Sequence, residues 1–250
     1  MFASEKCPVC GNPPQLFGHE TCEMLDSGPF TQLNILDLFA GTGSSTQAFA
    51  DRGHEVLTVE LDPSHSCDLV ADVTKLSAES LTNEYGQFDF VWASPPCTAF
   101  SVASIGHHWT GNQHDKQPKT QAALDAQETV RRTLALIAEL NPTVGFLMEN
   151  PRGILRKLSV VQHYTRSTVT YCQYGETRMK PTDLWGGIGP DRWIPSRSCN
   201  NGDGCHESAP RGSRTGTQGI VGSKDRSRIP YRLSTEVALK VEQAVYLVAT

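Results

Sequence analysis

Leu33 to Asp62 reads LNILDLFAGTGSSTQAFADRGHEVLTVELD. The apolar run Leu33 to Leu38 predicts a strand, Ala40 to Gly43 a turn, Ser44 to Arg52 a helix, and Val56 to Leu61 a second strand. That order is a βαβ unit, which calls for a parallel sheet with helices on its faces. The turn is small enough for a ligand to touch its backbone, and Glu60 at the tip of the second strand is placed to take ribose hydroxyls. Gly41-x-Gly43 is an incomplete dinucleotide fingerprint, and an ordinary crossover without a ligand also carries glycines there. Asp37 before the turn and Glu60 after it would repel a pyrophosphate, so an adenosyl ligand lacking one fits better.

S-adenosylmethionine, with a sulfonium and an amino group, suits such an acidic pocket. Outward along the chain, DLVADVTKL (Asp68 to Leu76) gives a third short strand with Asp72 at its carboxyl end. FDFVWASPPCTAFSVAS (Phe88 to Ser104) reads as a buried strand to Ala93, then Ser94-Pro95-Pro96-Cys97, where two prolines forbid both strand pairing and helix. Cys97 is therefore held on a stiff loop at the carboxyl end of a strand, the edge where open α/β sheets collect ligands; a buried structural cysteine is the plainer alternative. Ile105 to Thr120 is polar, glycine-containing and without apolar period, and reads as a mobile lid. Thr120 to Leu140 is a helix stopped by Asn141-Pro142. Thr143 to Met148 is a further strand, with Glu149 on the loop behind it. A thiol and a carboxyl converging beside an adenosyl pocket suit nucleophilic attack coupled to protonation of a substrate.

The chain has 250 residues, 38% apolar and 20% charged, enough for one α/β domain with a small appendage. No run approaches the roughly 18 apolar residues of a membrane span, and MFASEKCPVC lacks a signal-peptide pattern, so the expectation is a cytoplasmic protein without a membrane partner. Net charge is −5, yet Pro190 to Arg232 holds eight Lys/Arg against four acids. That stretch suits either a surface gripping a phosphate backbone or a solvated loop. Cys7, Cys10, His19 and Cys22 stand at C-x2-C-x8-H-x2-C, four ligands at zinc-like spacing, and Asn12-Pro13-Pro14 prevents the helix a redox CxxC needs. Cys199, Cys205 and His206 either join that ion or form a second group. The implied organisation is an arm or zinc knuckle (1–30), a core (31–185), a small basic segment (186–230) and a terminal helix (231–250) packing on the core.

LDLFAGTGSSTQAF, ASPPCTAFS and MENPRG, in this order, resemble the cofactor, nucleophile and glutamate motifs of the C5-cytosine DNA methyltransferases, especially compact phage-type members. Pro96-Cys97 with Phe100-Ser101 is the most specific element, because the amino-group methyltransferases place an aromatic residue where Cys97 stands. The resemblance implies an α/β, Rossmann-like, S-adenosylmethionine-dependent methyltransferase fold with a small target-recognition segment, acting as a monomer on double-stranded DNA. It implies cofactor contacts from Asp37, Phe39, Ala40, Gly41, Gly43, Glu60, Leu61, Asp72, Val73 and Pro95. By the same resemblance Cys97 attacks C6 of an extruded cytosine, Glu149 protonates or hydrogen-bonds N3, and Arg178 with Lys180 supports the thiolate. DNA contacts fall to Ser101, Arg211, Arg214 and Gln218, with Ile105 to Trp109 filling the gap left by the base. Departures are Asn150-Pro151 after the glutamate, Lys180 in place of a second arginine, and the absence of a late Gly-Asn motif. An RNA cytosine methyltransferase and a catalytically silent cofactor- and DNA-binding module remain the alternatives. Self-protection of phage DNA and restriction-modification stay open as roles, as does a donor carrying a group larger than methyl.

Overall fold

A computed structural model describes residues 31–112, 115–207 and 222–249. Seven strands form one sheet: β1 (Asn34–Leu38), β2 (Glu55–Glu60), β3 (Leu69–Val70), β4 (Phe90–Ala93), β7 (Gly145–Pro151), β8 (Arg166–Thr170) and β9 (Pro181–Ile188). Their spatial order is β3-β2-β1-β4-β7-β9-β8. The first five run parallel, while β9 pairs antiparallel with both β7 and β8. The chain leaves β1 toward β2 on one side and returns to β4 on the other, so the order reverses between β1 and β4. The crevice at such a reversal, beyond the carboxyl ends of the strands, is where open α/β sheets bind ligands. Both the FAGTG turn after β1 and the SPPC loop after β4 open onto it.

Strand alternation divides the core into two layers. Leu36, Leu38, Val91, Ala93 and Met148 face a layer built on α4 (Gln121–Leu140), with α2 (Ala78–Tyr85) beside it. Ile35, Phe90, Trp92 and Leu147 face the other layer, which holds Phe49 of α1 (Gln47–Asp51) and Leu233, Val237 and Val241 of α6 (Tyr231–Ala249). All four β4 residues are fully buried, as expected of a strand covered on both faces. Truncating Trp92 to alanine there costs about 3–5 kcal/mol. By the same alternation Asp37 and Glu149 fall on the α6 side of the sheet, in step with Ile35 and Leu147.

The helices begin and end where their sequences allow. Thr120 caps α4 by accepting from the Ala123 N–H, and Asn141 closes it in the left-handed conformation ahead of Pro142. The terminal helix α6 packs on α1, just behind the FAGTG turn: Ser234 Oγ donates to Ser45 O at 2.7 Å and accepts from Ala48 N at 3.2 Å. Arg52 forms a two-pronged ion pair with Glu242, which also meets His54 Nε2 at 2.8 Å.

Four expectations need correction. Glu149 sits within β7, paired with Leu184, rather than on a loop after it. The stretch from Ile105 to Thr120 carries a short helix α3 (Ile105–His108) and a hairpin of β5 (Trp109–Thr110) with β6 (Gln117–Pro118). Trp109 is buried against Phe100 and donates to Ala99 O at 2.7 Å, so it belongs to the core and cannot fill a gap in DNA without leaving it. The core sheet runs to Ile188, past the boundary expected at 185, and Trp193 bridges back to that residue. Cys7, Cys10, His19, Cys22, Arg211, Arg214 and Gln218 lie outside the described residues. No helix among the described residues is long and apolar enough to cross a membrane.

Candidate active site

The crevice has two walls. The first is the turn after β1, where Phe39, Gly41 and Gly43 all have positive φ (62°, 53° and 68°). For phenylalanine that conformation is strained, and strain of this kind persists at sites that need a particular backbone shape. Gly41 N–H donates to Glu60 Oε2 at 3.0 Å, and Leu61 N–H donates to Oε1 at 2.7 Å, so the carboxylate is fixed yet remains half-exposed. Ala40 N–H donates to Val59 O, tying the turn to β2. Asp37 is fully buried and accepts from Ser45 and Thr46 hydroxyls at 2.6 and 2.7 Å, all on Oδ2. Burial pushes its pKa up to about 6 despite those bonds, and Oδ1 is left without a partner. Asp72 Oδ1 accepts from the Thr74 N–H and hydroxyl, which hold its carboxyl below the usual range. Val73 beside it is buried, while Leu61 is 63% exposed at the tip of β2.

The second wall is the pair of strand ends at β4 and β7. Cys97 is half-buried on its proline loop, and its carbonyl accepts from Phe100 and Ser101 N–H groups at 2.9 and 3.0 Å. Asn150 donates from Nδ2 to Pro95 O at 2.8 Å, locking the nucleophile loop to the residue next to Glu149. Gly153 passes so close that a Cβ there would lie 2.1 Å from Phe100 O, which explains a glycine in MENPRG. Burial raises the Glu149 carboxyl above its ordinary value; the Lys180 charge and a 3.2 Å hydrogen bond from Tyr171 OH oppose the rise. Lys180 Nζ donates to the same Tyr171 oxygen at 3.3 Å and lies 4.5 Å from the ring centre. Its own pKa is lowered by burial, with the Glu149 charge opposing that. Burial likewise raises the Cys97 thiol; the Glu149 charge adds to the rise, and Lys180 and Arg226 pull against it.

Arg178 sits apart from this pattern. Its guanidinium is 1% exposed and donates to the carbonyls of Asp225, Arg226 and Arg228, besides pairing with Glu176. It therefore fixes the backbone that brings Arg226 within electrostatic reach of Cys97. Of the two cations that lower the Cys97 thiol, Lys180 acts more strongly than Arg226. Ser101 shares a hydrogen bond with Ser104 at the rim of the nucleophile loop. Pro95 is buried in that loop, and Ala40 in the turn opposite. The sequence alone assigns no role to Tyr171 or Arg226 and marks Asn150 only as a departure after Glu149. Only Asn150 was within reach of a local argument, since it lies between Glu149 and Pro151.

A family model for C-5 cytosine-specific DNA methylase matches residues 33–165, which include both Cys97 and Glu149. The chain belongs to that family. It is 32% identical over 177 residues to a probable DNA (cytosine-5)-methyltransferase of Frog virus 3, covering 69% of this chain and 78% of that protein. It is 26% identical over 188 residues to the type II methyltransferase M.DdeI of Desulfomicrobium norvegicum, covering 64% of this chain but 41% of that one. Among solved structures, DNMT2 of Spodoptera frugiperda superposes with a TM-score of 0.42 at 14% identity, over 69% of this chain and 56% of that one. Arg178 and Lys180 lie beyond the stretch that the methylase model matches.

Proposed function

We propose that this methylase-family chain transfers a methyl group from S-adenosylmethionine to C5 of a cytosine extruded from duplex DNA. The observation that carries the reading is the Asn150–Pro95 bond, which couples a stiffly held thiol to the strand bearing a buried carboxyl whose pKa burial raises, across the crevice from an acidic glycine turn. The turn suits the cofactor. Glu60 has lone pairs free for ribose hydroxyls, exposed Leu61 and the Asp72-Val73 pair suit an adenine, and the unpartnered Asp37 Oδ1 adds negative potential for the cationic end. When bound, S-adenosylmethionine supplies an electrophilic methyl on sulfur.

Cys97 gives up its proton to water and its sulfur bonds to C6 of the base, while Glu149 donates its proton to N3 so that the displaced electron pair comes to rest at C5 as an enamine. After C5 has been alkylated, loss of its hydrogen as a proton restores the ring double bond and expels the sulfur. Lys180, with Arg226 behind it, offsets the charge on the thiolate in a setting where burial alone disfavours it. Extruding the base costs a few kcal/mol, to be offset by phosphate and groove contacts, for which Ser101, Arg211, Arg214 and Gln218 are the proposed side chains. The protein acts as a cytoplasmic monomer in this reading. Incubation with labelled donor and either duplex DNA or tRNA, followed by nucleoside mass spectrometry, tests it. The expected product is 5-methylcytosine in the DNA; methylation confined to RNA, or none, contradicts it.

A further inference from the structure

Cys172 looks isolated in the sequence, 27 residues before Cys199. In the fold it lies on the short 3-10 turn Tyr171–Tyr174 and meets Cys199, Cys205 and His206, with all four ligand atoms within 4.8 Å of one another. The sulfur of Cys172 is 3.2 Å from that of Cys199 and 3.7 Å from that of Cys205. His206 Nδ1 is 3.6 Å from the Cys199 sulfur and 3.5 Å from the Cys205 sulfur. A tetrahedral zinc with bonds of about 2.3 Å to sulfur and about 2.0 Å to nitrogen has sulfur–sulfur edges of about 3.8 Å and sulfur–nitrogen edges of about 3.5 Å. The Cys172–Cys205 edge of 3.7 Å and both sulfur–nitrogen edges agree with those lengths, and the Cys172–Cys199 edge of 3.2 Å is shorter yet far longer than the roughly 2.05 Å of a disulfide.

We propose that Cys172, Cys199, Cys205 and His206 bind one structural zinc ion. Three sulfurs and an imidazole closing a tetrahedron are the donor set of structural zinc, and soft thiolates disfavour magnesium or calcium. Two side chains outside the ligand set donate to these sulfurs. Thr170 Oγ1 donates to the Cys199 sulfur at 3.4 Å and Gln173 Nε2 to the Cys205 sulfur at 3.3 Å. Binding replaces the three thiol protons, which pass to water. The ion joins two segments that backbone bonds also align: Thr170 N–H donates to Arg197 O, Cys199 N–H to Thr170 Oγ1, and Glu207 N–H to Thr177 O. Zinc thus clasps the start of the basic segment to the turn whose first residue, Tyr171, donates to Glu149. The basic run at Arg211 begins five residues after His206. The assignment of this site stands apart from the reaction proposed above.

The test uses the full chain expressed with zinc, with metal content read by elemental mass spectrometry. Cys199→Ser and Cys205→Ser each lose one zinc per chain relative to the parent protein. Should the serine variants not fold, the parent protein decides. Peptide-resolved alkylation finds Cys172, Cys199 and Cys205 protected as isolated and modified after a zinc chelator is added. Cobalt exchange gives the absorption of a tetrahedral three-thiolate site. Equal alkylation of the three thiols with and without chelator overturns the assignment, as does an intact mass showing a Cys172–Cys199 disulfide in the freshly purified protein.

Discussion

The two walls of the crevice are built in opposite ways. The cofactor wall is local: every group from Asp37 to Val73 lies within one β1–β2–β3 stretch, held by backbone N–H groups and short hydroxyls. The wall proposed to carry the chemistry is assembled from Cys97, Glu149, Tyr171, Lys180 and Arg226, which are scattered across half the chain and meet only through strand pairing and buried charge. A turn of consecutive residues needs little outside support to hold its shape. A set of buried ionisable groups keeps its protonation states only while each partner is in place. Changes on one wall should therefore alter binding, and changes on the other should alter chemistry.

The largest separation is expected for Glu149→Gln. Turnover falls about 10²–10³-fold as the proton donor to the base is lost, with cofactor affinity unchanged by calorimetry. In the same variant the Cys97 thiol titrates at lower pH, because the Glu149 charge is one cause of its raised value. Alkylation rate against pH reads that shift, and unchanged cofactor binding is essential to the comparison. Glu60→Ala gives the mirror image: about 10–100-fold weaker cofactor binding, from the loss of charged hydrogen bonds, with turnover at saturation near normal.

Lys180→Met has a smaller effect of about tenfold on transfer at neutral pH, since removing a buried cation near Cys97 moves its titration to higher pH. The alkylation profile shifts in the direction opposite to that of Glu149→Gln. Asp37→Asn is the smallest and has the reverse sign for stability. Asp37 has a pKa of about 6 in the fold against an ordinary 3.8, so the folded chain binds that proton more tightly than the unfolded one. Its presence therefore costs stability as pH rises from about 4 through 6, up to about 3 kcal/mol above that window. The variant should melt several degrees higher at neutral pH when free of cofactor, and bind cofactor less tightly. An unchanged melting temperature at neutral pH would contradict the raised Asp37 value, which already includes the Ser45 and Thr46 hydrogen bonds.

The same division explains what could be read from the chain alone. The β1–α1–β2 unit and α4 are legible because apolar period, glycine turn and caps are local signals, as in LDLFAGTG and at Thr120 and Asn141. Cys97 is legible because two prolines leave the chain no alternative to a loop. The β8–β9 pair is not, since β9 carries Thr182 and Asp183 at buried positions and Gly186-Gly187 near its end, which spoils any apolar pattern. Asp183 is buried there against Arg156 and Arg166, a pairing no spacing rule reveals. Asn150-Pro151 reads as a strand stop, yet Pro151 takes the last paired position of β7, where a missing N–H is tolerated. Tyr171 and Cys172 stand in YCQY without any motif. Their partners, Glu149 and Cys199, are fixed only when β9 folds back between β7 and β8.

The claim on which this account rests is that the Cys97 sulfur bonds to the substrate base. Duplex DNA carrying 5-fluorocytosine tests it, because fluorine at C5 cannot leave as a proton and the cycle halts with sulfur still attached. The account predicts a protein–DNA conjugate that survives denaturation, maps by peptide mass spectrometry to Cys97, and is absent in Cys97→Ser. No conjugate from a protein that methylates ordinary duplex DNA, or one mapped to another residue, would contradict it.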